Sequence, residues 1–134
     1  KDINDMHNKF GVTKWVQAEQ QSDNEVRRLS QLLEFRMKMI QEEVDETNAA
    51  IKNNDPQEIV DGLIDMCVFA IGTLDAFGID AHKAWDQVHN ANMAKEPGVK
   101  PSRPNPLGLP DLIKPEGWEG PTHDGNTGLF DNYI

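Results

Sequence analysis

The sequence predicts an all-α fold, a bundle of four to five helices followed by an extended tail, and three observations predict it. Apolar residues recur at three- and four-residue spacing through the first 95 positions, as amphipathic helices require. Breakers fall between these periodic runs, at Gly11, at Asn53-Asn54-Asp55-Pro56 and at Gly78. Seven of the eight prolines and six of the ten glycines lie between Pro97 and Gly128, where no packed helix can form.

Ile3, Met6 and Phe10 give a short first helix that Gly11 ends. A polar stretch around Gln20 to Asn24 follows, in which Ser22 or Asp23 caps a long helix from about Glu25 to Asn48. Along that helix Val26, Leu29, Leu33, Met37, Ile40 and Val44 step by three or four. Asp55 as N-cap and Pro56 at the first helical position start the next helix, which runs to about Phe77 with Gly78 closing it. Asp80 caps a last helix to about Lys95, with Ala81, Trp85, Val88 and Asn92 along one face and Trp85 in the core. The tail carries no strand pattern, and Trp118 and Phe130 pin it.

A length of 134 residues with 37% hydrophobic content suits one compact domain, here a helical part, 1–96, and an extended segment, 97–134, packed on it or on a neighbouring subunit. No run approaches the roughly 18 apolar residues of a membrane span, and no basic start precedes an apolar run, so a cytoplasmic protein is expected. Cys67, inside Met66-Cys67-Val68-Phe69-Ala70, reads as a small buried hydrophobe. The net charge of −10 argues against nucleic-acid and anionic-membrane partners, which need a basic surface.

That charge is concentrated. Residues 41–65 hold Glu42, Glu43, Asp45, Glu46, Asp55, Glu58, Asp61 and Asp65 against Lys52 alone. At about 100° per residue, Glu42 and Glu46 fall within about 40° and extend an apolar seam of Leu32, Phe35 and Met39. Glu58, Asp61 and Asp65 lie within about 60° on a helix that Ile59, Val60, Leu63, Ile64, Met66, Cys67, Ala70 and Ile71 make apolar nearly all round, which predicts burial. Read singly, Glu-Glu-x-x-Glu is common on solvated helices, and Glu58 can complete a capping box with Asp55. Together, with Arg36, Lys38 and Lys52 too few to neutralise them, the carboxylates point to a divalent cation, and all-oxygen donors favour Mg²⁺ or Mn²⁺. Arg36 and Lys38 near the first cluster, with Asn92 and Lys95 on the last helix, suit a phosphate chain.

Glu42-Glu43-Val44-Asp45-Glu46, eleven further residues, and Glu58-Ile59-Val60-Asp61 together resemble the signature of the MazG-like all-α nucleoside triphosphate pyrophosphohydrolases. That superfamily includes the phosphoribosyl-ATP pyrophosphohydrolases and the dimeric dUTPases. Phe35-Arg36-Met37-Lys38, Asp61-Gly62-Leu63-Ile64-Asp65, Val88-His89-Asn90-Ala91-Asn92-Met93-Ala94-Lys95 and Leu112-Ile113-Lys114-Pro115-Glu116-Gly117-Trp118 are similar to small stand-alone members from bacteria and phages, a cyanophage type acting on guanine nucleotides among them.

The resemblance implies α–β cleavage of a triphosphate, with dGTP or GTP the first expectation and dUTP or another nucleotide the alternative. It implies two to three Mg²⁺ or Mn²⁺ ions on Glu42, Glu43, Glu46, Glu58 and Asp61, with Glu42 also positioning or deprotonating the attacking water. Asp65 would support the ligands or touch substrate. Asn92 and Lys95 would contact phosphate or sugar, and Arg36 and Lys38 would help the leaving pyrophosphate. A homodimer or homotetramer is expected from the family and from the small core. Trp15, Trp85, Trp118 and Phe10 are candidates to stack on a base, and His89 reads as a surface histidine. The tail, with Lys114 and Trp118, either closes over the nucleotide or seals a subunit interface. Outside the enzyme class, the alternative is a helical module whose acidic cleft holds Ca²⁺ or a basic peptide.

Overall fold

The computed structural model describes residues 1–20, 25–103, 105–108 and 110–133. The elements are α1 (Asp2–Phe10), α2 (Val12–Gln20), α3 (Glu25–Lys52), α4 (Pro56–Ala76), α5 (Ala81–Met93), β1 (Glu96–Gly98), β2 (Asp111–Ile113) and the single turn α6 (Phe130–Tyr133). The all-α reading holds. Two short strands and α2 are additions to it, and the expected caps Ser22 and Asp23 lie outside the described residues. Gly11 ends α1 with φ 82°, and its amide donates to the His7 carbonyl. Asp55 caps α4 by accepting the Glu58 amide, with Pro56 in the first turn as expected.

The chain divides into two compact units. Residues 1–81 with 127–134 form the first, and 82–126 form the second, so the division falls inside α5. In the first unit α3 packs chiefly on α4. A Cβ on Gly62 would collide with the Thr47 hydroxyl, and one on Gly72 would lie 3.1 Å from the Arg36 guanidinium. As the α3 number falls from 47 to 36, the α4 number rises from 62 to 72, so the two helices run antiparallel with their backbones close.

The side of α4 turned to α3 is small: Gly62, Gly72, Thr73 and Ala76 are its buried residues. Val60, Leu63, Ile64, Cys67 and Ile71 fall within a stripe of about 100° on the opposite side. All five are exposed, Val60 at 61%, Leu63 at 53% and Ile64 at 58%. The expectation that an all-round apolar helix is buried is therefore corrected, and Cys67 with it. Among the described residues, only one side of α4 is covered.

The core lies at the far end of the α3–α4 pair, where Leu29 and Phe77 are fully buried among Val16, Ala76 and Ile79. Phe130 of α6 stacks on Phe77 with ring centroids 4.8 Å apart, and the Leu129 amide donates to the Phe77 carbonyl at 2.8 Å. Phe130 thus pins the end of the tail as expected. In the second unit β1 pairs antiparallel with β2, Glu96 opposite Ile113. Trp85 is 68% exposed, so its expected place in the core is corrected. The short α5 has only Ala91 fully covered.

Candidate functional site

The antiparallel register decides which expected residues meet. With Thr47 against Gly62, the next turn of α3 brings Glu43 level with Asp65 of α4. The Glu43 carboxyl is pushed above the usual glutamate range, first by partial burial and then by the negative charges of Glu46, Asp65, Glu42 and Glu58. Five carboxylates from two helices therefore share one electrostatic neighbourhood. Thr47 closes the layer by donating its hydroxyl to the Glu43 carbonyl at 2.7 Å.

Glu43 is half-buried, whereas Glu42, Glu46, Glu58, Asp61 and Asp65 are exposed. The expected burial of the carboxylates is thus corrected to an open acidic face near the turn of the α3–α4 hairpin. Among the described residues, no three His, Cys, Asp or Glu side chains are gathered closely enough to hold one ion. The donor set still fits a hard divalent cation: its oxygens are anionic, and their mutual repulsion at Glu43 is what such an ion relieves.

Arg36, expected beside a phosphate, lies elsewhere. It is buried, with its guanidinium 3.5 Å from His7 Nε2, while His7 Nδ1 is 2.6 Å from Asp75 Oδ2. Burial lowers the Arg36 pKa, and the charge of Asp75 partly restores it. No motif singles out His7 and Asp75. The signals available in the sequence are a histidine four residues after Ile3 on an otherwise apolar helix side and a lone acid closing an apolar helix.

Beside this buried network lies a hollow of about 270 Å³. Phe10, Phe35, Phe69 and Met39 are among the residues lining it, and His7 and Arg36 are its polar lining. Met39 and Phe69 stand one turn, about 5.4 Å, along the pair from Glu43 and Asp65. Ile3 and Met6 of α1 line the same hollow.

Lys38 is exposed on α3. Asn92 and Lys95 belong to the second unit, both half-buried, and the Lys95 ammonium lies 5.2 Å from the Trp118 ring centroid. His89 is exposed.

The family model described as phosphoribosyl-ATP pyrophosphohydrolase matches residues 5–92, which contain the whole α3–α4 carboxylate layer. No curated protein matches the chain. With a helical hairpin, clustered carboxylates and a family match over most of its length, the chain belongs to the phosphoribosyl-ATP pyrophosphohydrolase family of the MazG-like all-α superfamily and is a nucleotide pyrophosphohydrolase.

Proposed function

We propose that this enzyme is a divalent-metal-dependent hydrolase that cleaves the α–β phosphate bond of a (deoxy)nucleoside triphosphate. The observation that carries the reading is the like-charge crowding at Glu43, in a family whose substrates are polyphosphates. Glu43, Glu46, Glu58 and Asp61 would hold Mg²⁺ or Mn²⁺, two to three ions per site, with Glu42 sharing a further ion. When bound, such ions neutralise phosphate charge and acidify a coordinated water.

Glu42 orients the attacking water and accepts its proton. The water oxygen bonds to the α-phosphorus, and the bridging oxygen departs with pyrophosphate. Asp65 orients the ligating carboxylates. Lys38 helps the leaving pyrophosphate. Arg36, turned toward His7 and Asp75, serves this site by stiffening the α3–α4 packing.

The aromatic hollow one turn from Glu43 receives the base, with Phe10 among its walls. Guanine is the first candidate on the resemblance of the last helix and the tail to guanine-directed members. Phosphoribosyl-ATP is the second reading, favoured by the matched family's description.

Turnover of dGTP, GTP, dUTP, dCTP, dATP and phosphoribosyl-ATP with Mg²⁺ tests both readings. Pyrophosphate release is expected, fastest from a guanine nucleotide, and Glu46→Gln or Asp61→Asn should lower it more than about 100-fold with helical content unchanged. Intact triphosphates throughout, or near-normal rates in either variant, would overturn the mechanism. Preference for dUTP or phosphoribosyl-ATP would replace the substrate alone.

A further inference from the structure

The one buried residue of α1 is an ionisable one. His7 is 6% exposed, whereas Met6 and Phe10 of the same helix are 44% and 68% exposed, so α1 is anchored through an imidazole. Both of its ring nitrogens are engaged by other helices, Nδ1 by Asp75 of α4 and Nε2 by Arg36 of α3. Asn4 of α1 adds a long hydrogen bond to the other oxygen of Asp75, at 3.5 Å.

A guanidinium only donates hydrogen bonds. Contact with Arg36 therefore needs Nε2 to be the bare, accepting nitrogen, and Nδ1 carries the proton that goes to Asp75. Donation runs one way, from Arg36 to His7 to Asp75, and one cation faces one anion. Protonating Nε2 would aim a second N–H at the guanidinium and set two buried cations on one carboxylate. There is little room for the two to part in place, since a Cβ on Gly72 would lie 3.1 Å from Arg36 Nη1 and 3.3 Å from His7 Nε2. No other charged group offsets the repulsion among the described residues. Asp2, Asp5 and Lys9 of α1 are exposed, Lys14 of α2 is exposed, and Glu19 of α2 pairs with Arg28.

We propose that His7 is an acid-sensitive latch, which holds α1 on α3 and α4 while neutral and releases it when protonated. Histidine is the side chain whose charge changes near neutral pH. The released state binds one proton more than the held state, so acid favours release by up to about tenfold per pH unit. Ile3, Met6, His7 and Phe10 of α1 all line the hollow, and release takes that wall away. An effect on substrate rests on the reading of the hollow as the base site, whereas the latch itself does not.

Hydrogen exchange of the full chain at about pH 8 and about pH 5.5, expressed as protection factors, tests the latch. Protection of the α1 amides is expected to fall more than about tenfold in acid while that of α4 holds. In His7→Gln, whose amide donates and accepts without taking up a proton, α1 protection should be the same at both pH values. His7→Phe fills the space with no hydrogen bond and should be equally insensitive from a lower starting level. Unchanged or rising α1 protection in acid, or a fall of wild-type size in both variants, would overturn the proposal. The KM for dGTP should rise in acid relative to that of His7→Gln. A latch that responds to pH beside a KM ratio that does not would support this device and sink the base-site reading of the hollow, so the two fail separately.

Discussion

His7, Asp75 and Arg36 show what a buried polar group needs in a small domain. The guanidinium is covered by α1 and α4, and the nearby imidazole and carboxylate compensate its lost hydration. Asp75→Asn removes the charge that offsets burial of Arg36. It is expected to lower stability by about 1–3 kcal/mol, read as a fall in the urea midpoint at unchanged slope. An unchanged midpoint would mean that Arg36 reaches solvent. At Glu43 the opposite condition holds, since acidic neighbours surround a carboxyl that would be easier to keep as a neutral acid.

At the scale of the element, α4 is a helix with two unlike sides. Its small side admits α3 closely enough for Gly62 to meet Thr47, and the large apolar side faces away. Gly62→Ala would drive a methyl group into the Thr47 hydroxyl, displacing the helices beside the acidic layer. A loss of about 1–3 kcal/mol is expected, with part of it recovered in the Gly62→Ala, Thr47→Ala double variant. Denaturant unfolding of the four proteins in the cycle measures this. Simple additivity would show that the contact is not shared.

For the whole molecule, the exposed stripe of Val60, Leu63, Ile64, Cys67 and Ile71 is a contiguous apolar surface of the kind that marks an interface. The proposed homodimer or homotetramer would cover it. Light scattering is expected to give a mass above the 15.1 kDa of one chain, falling toward that value in Ile64→Glu. A monomeric wild type would refute the assembly. No single helix among the described residues is long and apolar enough to cross a membrane.

Much of the fold is legible in the sequence because its signals are local. Gly11, Asp55 and Pro56 act through their own backbone and the next turn, so their roles as stop, cap and start follow from spacing. The identity of the acidic residues and their periodicity also point to the α3–α4 pair. Which side of α4 is covered is not legible, because periodicity reports that a helix is apolar without saying how many neighbours it has. Trp85 and Cys67 lie exposed on apolar helix faces for that reason, and no spacing announces that a histidine from α1 and an aspartate from α4 gather at Arg36. By itself the sequence determined the helices α1, α3, α4 and α5 and the clustering of acidic residues on α3 and α4, but not α2 or the two strands. Only the tertiary structure decided the register that brings Glu43 to Asp65, because that register depends on a glycine accepting a threonine across two helices.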